Sequence, residues 1–230
     1  MKKSTIATLI AFFLVIPATI YFGLKLPGRS YYLTGTAIVI ELMVPFFMAF
    51  EGRKVQAREL VLMAVMCALA IVSRVALPVP HFKPIFAVIM LTGIAFGPET
   101  GFMVGAISAF ASNFFYGQGA FTPFQMFAYG TGGMLMGFLF AKRRLPRKGW
   151  LMAVFGAVTA AFLIGPLLDA SSVFLIPARV SWDMAIAILA AGLYVNITQA
   201  VCTAVVLLLL GNPFLAILDR IKLKYGILEA

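Results

Sequence analysis

Charge is scarce in this sequence, and acid is scarcer than base. Eight Asp and Glu residues stand against eighteen Lys and Arg, and together they make up 11% of 230 residues. Soluble domains carry roughly 25% charged residues, so water is excluded as the solvent for most of this surface. A single histidine, His81, excludes a multi-histidine metal site. The only two cysteines, Cys67 and Cys202, lie in separate apolar runs without a C-x-x-C or Cys/His spacing, and they read as buried structural thiols. No G-x-x-x-x-G-K-[ST] is present, which excludes nucleotide binding through a P-loop. G-x-S-x-G and H-E-x-x-H are missing too, and no second histidine exists to serve a nucleophile, so neither an enzyme nor a resident cofactor is expected. No A-x-A pattern closes the apolar run after Met1-Lys2-Lys3, which reads as a retained first helix and not a cleaved signal.

What the chain has in abundance is apolar length. Hydrophobic residues make up 63% of it. Runs punctuated by Pro, Gly and charge predict spans at 5–23, 31–50, 58–77, 84–97, 100–116, 123–141, 150–168 and 184–210. Each approaches the roughly 20 residues that cross a bilayer core about 30 Å thick. The expected fold is an all-α membrane protein, a polytopic helical bundle with no soluble domain. The spans at 84 and 100 are short and glycine-rich, suited to being tilted, broken or shielded from lipid by protein.

The net charge of +10 invites a nucleic-acid reading, but the bases sit in the connections. With the N-terminus inside, Lys2, Lys3, Arg53, Lys54, Arg58, Lys142, Arg143, Arg144, Arg147, Lys148, Arg220, Lys222 and Lys224 all face the cytoplasm, the positive-inside pattern. Lys25, Arg29, Arg74, Lys83 and Arg179 fall at or near outer connections. Eight spans put both termini in the cytoplasm, and the expected surroundings are lipid, not nucleic acid.

The outer connections at 78–83, 117–122 and 169–183 carry Pro, Gly, aromatic and hydrogen-bonding residues, as the rim of an outward pocket would. Arg74 ends the third span, with His81 and Lys83 just beyond it; an arginine there either binds an anionic or amide-rich ligand or snorkels to the interface. The stretch from Ala111 to Gly130 mixes aromatic faces with amides and hydroxyls at a helix–loop–helix corner. That is how an apolar pocket recognises a small molecule, although an interfacial aromatic belt would look similar. Its candidates are Asn113, Tyr116, Gln118, Thr122, Gln125 and Tyr129. Small residues four apart, Ala64 with Ala68, Gly101 with Gly105 and Ala109, and Gly133 with Gly137, allow close helix approach, either inside the bundle or against another membrane subunit. Glu41, mid-span, is a costly carboxylate and hence a functional candidate.

Several stretches carry a resemblance: Ala57-Arg-Glu-Leu-Val-Leu-Met-Ala-Val-Met-Cys-Ala68, Phe82-Lys-Pro84, Gly97-Pro-Glu-Thr-Gly-Phe102, and Ser112-Asn-Phe-Phe-Tyr-Gly-Gln-Gly119 running into Thr122-Pro-Phe-Gln-Met-Phe127. Through them the chain resembles the S components of energy-coupling-factor (ECF) vitamin transporters, the last two stretches being most similar to the cobalamin-type branch. The resemblance implies a six-helix substrate-binding core at 57–230, preceded by two extra transmembrane helices at 1–56. It implies capture of a vitamin, cobalamin first and riboflavin or a queuosine precursor as alternatives, at the plasma membrane of a prokaryote. Ala64 and Ala68 would dock on a transmembrane coupling subunit driven by two ATPase subunits. A proton-coupled secondary transporter using Glu41 and an assembly subunit without a solute are the rival classes.

Overall fold

The computed structural model describes residues 10, 14–25, 30–51, 56–141, 144–175 and 181–226. The expectations resting on Lys2, Lys3, Arg29, Arg53, Lys54, Lys142, Arg143, Arg179 and the side chain of Lys25 lie outside what it describes. The described residues form helices α1 (Ile16–Lys25), α2 (Ser30–Glu51), α3 (Ala57–Val75), α4 (Ile85–Phe96), α5 (Pro98–Tyr116) and α6 (Thr122–Phe140). There follow α7 (Gly149–Thr159), which runs through a π-helical turn (Ala160–Ile164) into α8 (Gly165–Leu175), and α9 (Trp182–Tyr225). The α7–α8 unit counts as one span, and the protein is the expected all-α bundle. Gly149–Val173 and Trp182–Tyr225 are long and apolar enough to cross a membrane, and Leu33–Pro45 and Ile85–Phe96 are shorter apolar helices.

Two spans outrun their expected ends. The seventh, expected to run through Pro166 to 168, continues to Leu175; the proline lacks an N–H and its ring would clash with a carbonyl one turn back. The wider π turn relieves that clash, with the Gly165 N–H reaching Ala160 O. Asp169, Ser171 and Ser172, expected in an outer loop, therefore lie on α8. The last span was expected to stop before Gly211-Asn212-Pro213, yet α9 continues to Tyr225. At about 1.5 Å per residue it is roughly twice as long as a bilayer core is thick. Its polar tail stays helical because it is pinned: Lys222 donates to Ala95 O and lies 3.9 Å from Asp219, while Arg58 donates to Tyr225 O at 3.2 Å.

α4 is the axis of the bundle. All twelve of its residues are buried, so a helix too short for the hydrocarbon never meets lipid. Gly97, at φ 102°, turns the chain sharply, and Pro98 starts α5 where its missing N–H costs nothing. α4, α5 and α6 meet backbone to backbone: a Cβ on Gly93 would lie 2.0 Å from Gly133 O, and one on Gly101 2.6 Å from the same oxygen. The glycine stripes at 101/105 and 133/137 are thus internal packing surfaces.

Arg147 fastens the end opposite the α3–α4 connection. It donates to Phe140 O, Ala141 O and Ile94 O at 3.4, 3.3 and 3.0 Å, and pairs with Asp219 at 3.2 Å. One guanidinium thereby satisfies carbonyls that α4 and α6 leave open at their C-termini, where a cation is favoured. Arg58, Arg144, Lys148, Arg220 and Lys224 belong to this same basic end, and Arg74, His81 and Lys83 to the other.

Of the two N-terminal helices, α2 packs directly on the rest of the bundle. α1 packs on α2, and α2 lies against α5, α6 and α8. Met43 meets Phe102 and Ala106, and the Phe47 ring stands edge-on to Phe102 at 6.2 Å. Glu41 faces α1, accepting from Thr19 at 2.5 Å, while its second oxygen is buried without a partner among the described residues.

Candidate functional site

At the α3–α4 end, a cavity of about 460 Å³ opens between α3, α4, α6, α8 and α9. Six of the nine substrate candidates line it: Arg74 at the end of α3, His81 and Lys83 in the next connection, Tyr116 at the end of α5, and Gln125 and Tyr129 on the first turns of α6. The other three do not. Asn113 is fully buried behind the wall, Thr122 is also buried, and Gln118 sits at the exposed α5–α6 corner.

Those three nonetheless shape the wall. Asn113 Nδ2 donates to Gln125 Oε1 at 2.8 Å and Thr122 Oγ1 at 3.2 Å, while its Oδ1 accepts from Arg74 at 3.0 Å. Thr122 Oγ1 donates to Gln118 Oε1 at 2.9 Å, and Gln118 Nε2 donates to Phe110 O at 2.9 Å, closing the corner. Asn113 and Gln118 have both amide ends engaged, so the network fixes which face Gln125 and Arg74 turn to the cavity.

Arg74 is held from several directions. Its Nη1 donates to Ser112 as well as Asn113, and its carbonyl accepts from Tyr116 Oη at 2.8 Å. The guanidinium lies 4.8 Å from the Tyr116 ring centroid and 5.7 Å from that of Tyr129, a cation–π arrangement on two faces. Tyr129 also meets Phe86 edge-on at 4.9 Å, giving the cavity an aromatic floor. His81 stands at φ 58°, a left-handed conformation that a non-glycine residue adopts at a cost, with its ring edge-on to Tyr194 at 6.5 Å. Lys83 Nζ donates to Leu77 O.

Sequence reasoning missed the far wall: Phe86 from α4, Gly165 and Leu168 from α8, and Val195, Asn196 and Gln199 from α9. The signal was available, because Asn196 and Gln199 are polar residues one helical turn apart in an apolar span, and such residues are functional candidates by default. Asn196 donates to Asp169 Oδ2 at 2.7 Å. Gly165 and Gly192 make room for this pair, since a Cβ on either would lie 2.4 Å from Asn196 or 2.3 Å from Asp169. A second cavity of about 360 Å³ adjoins the first through Gln125 and Leu168, and carries Asp169, Ser171 and Ser172.

The remaining sequence candidates separate cleanly. Ala64 and Ala68 are exposed on α3, among Leu60, Val61, Val65, Leu69 and Val72, which are exposed as well. Glu41 does not line either cavity.

The model of the ECF-type riboflavin transporter S component matches residues 54–215. The chain belongs to that family. It is accordingly a transporter component of the prokaryotic membrane, with α1 and α2 lying outside the match. The match is to the riboflavin-type model and gives no support to the cobalamin-type resemblance. No curated protein and no solved structure matches the chain.

Proposed function

We propose that this S component captures a flat heteroaromatic vitamin of the riboflavin class from outside the cell, in the cavity between α3, α4, α6, α8 and α9. Both termini are then cytoplasmic, and the basic end fastened by Arg147 faces inward. The observation that carries the reading is the cavity itself, which combines an aromatic floor with amides oriented by a buried network. About 460 Å³ suits a flavin-sized molecule and lies within the roughly 300–1,000 Å³ of small-molecule sites, whereas a corrin macrocycle with its axial groups needs far more room. The exposed α3 stripe offers Ala64 and Ala68 to a transmembrane coupling subunit, which two ATPase subunits would drive.

Purified protein should quench flavin fluorescence on binding riboflavin, with no ion gradient, and support uptake only when coupling subunits are co-expressed. Asn113→Ala should weaken affinity about tenfold, because it leaves Arg74 and Gln125 short of partners, a loss of roughly 1–3 kcal/mol. Unchanged affinity would place the ligand elsewhere.

The secondary-transporter alternative makes an opposite claim about Glu41. Glu41 is bonded to Thr19 and away from the cavity, so Glu41→Gln keeps a hydrogen-bonding group there and should leave uptake within about twofold of the parent. Loss of proton-dependent uptake in that variant would favour the alternative.

A further inference from the structure

The cavity is electrostatically one-sided. Arg74 and Lys83 line it, His81 stands at its mouth, and no Asp or Glu is among its lining residues. Among the described residues neither Arg74 nor Lys83 makes an ion pair. Asp169, in the wall of the adjoining cavity, is already engaged by Asn196. Arg74 directs one nitrogen, Nη1, to neutral oxygens of Ser112 and Asn113, so the guanidinium keeps free N–H donors as well as its charge. Lys83 likewise spends one of three donors, on Leu77 O. Partly desolvated cations held by neutral groups alone are costly, and an anion offsets that cost through charge-assisted hydrogen bonds.

From this geometry we infer that the ligand carries an oxyanion, carboxylate or phosphate, seated on Arg74 with Lys83 as second cation, while its ring lies on Phe86 and Tyr129. Arg74 is a specificity-determining residue. The inference rests on the cavity being the substrate site, and it selects an anionic member of the vitamin class over neutral riboflavin.

The test is a matched pair: riboflavin and riboflavin 5′-phosphate, titrated by fluorescence quenching against the full-length protein in nanodiscs, with inorganic phosphate as competitor. The phosphate ester should bind about tenfold tighter or better, and the gap should close to about twofold in Arg74→Gln and narrow in Lys83→Gln. Arg74→Lys, which keeps the charge, should retain part of the preference. Competition by inorganic phosphate at millimolar levels would assign the anion site to phosphate as such; its absence would assign it to the organic anion. Equal or tighter binding of riboflavin, or a gap that survives Arg74→Gln, overturns the inference while leaving the flavin reading intact. Should neither flavin bind, the ring assignment fails, and the same comparison passes to pyridoxal with its phosphate and biotin with its amide. Binding of the anionic member that is lost in Arg74→Gln supports the inference, and binding of only the neutral member, or of none, overturns it.

Discussion

Ala68→Leu, alone or with Ala64→Leu, should reduce vitamin uptake more than tenfold in cells that carry the coupling subunits, while ligand affinity of the purified protein stays within about twofold. The expectation follows from where α3 puts its two faces. Met63, Met66, Cys67 and Ala70 turn inward and are buried, whereas Ala64 and Ala68 turn outward between exposed Leu and Val side chains. Lipid gives apolar helices no hydrophobic reason to associate, so two membrane subunits hold together by close backbone approach, which a leucine on the stripe prevents. Nothing on the outward face reaches the cavity, whose only α3 residue is Arg74. Among the described residues, α2 packs on α5, α6 and α8 and leaves the α3 stripe open. Parallel measurement of uptake and of binding separates the two roles. Normal uptake in the double variant would remove the docking assignment, and a matching loss of binding would mean that the stripe supports the pocket instead.

Much of the architecture was legible because bilayer thickness and backbone hydrogen bonding leave a chain few alternatives. The spans at 58–77, 100–116 and 123–141 are met within two residues by α3, α5 and α6. The last span is misjudged because a breaker residue is outvoted by tertiary structure: Pro213 is carried by a helix whose far end is pinned to α3 and α4. That compensation is not local, so it is not visible in the residues around the proline.

The near half of the site was legible for a similar reason. Arg74, His81, Lys83, Tyr116 and Gln125 stand in or beside connections, where polarity contrasts with the apolar spans, and Tyr129 follows one turn further into α6. Asn113 and Gln118 share that contrast but spend their polarity on other protein groups, a distinction made only by geometry. The far half lies inside spans, on α8 and α9, and there a single Asn or Gln is easily read as packing. The small-residue spacings were equally ambiguous, and burial separates them: those of α5 and α6 face each other, and that of α3 faces out.

The largest loss of stability should come from a single methyl group. Gly93→Ala places a Cβ 2.0 Å from Gly133 O and 3.2 Å from Gly137 N, atoms of the facing backbone that no rotamer change can move. α4 cannot retreat, since all of its residues are enclosed, and α6 cannot retreat without disturbing its contact with Gly101, where a Cβ would lie 2.6 Å from the same oxygen. Overpacking of this kind costs about 3 kcal/mol or more, and the helix-propensity gain of alanine over glycine, about 1 kcal/mol, does not offset it. A fall of roughly 6–12 °C in the thermal midpoint measured in detergent, or failure to accumulate, is the expected result. Gly211→Ala is the matched control. Its Cβ would meet the flexible end of Met152 at 3.2 Å and Leu91 at an ordinary 3.9 Å, so the propensity gain is realised and the midpoint should move by about 2 °C or less, or rise. Equal tolerance of both substitutions would mean that α4 and α6 are not in backbone contact, and the cavity they help to frame would have to be redrawn with them.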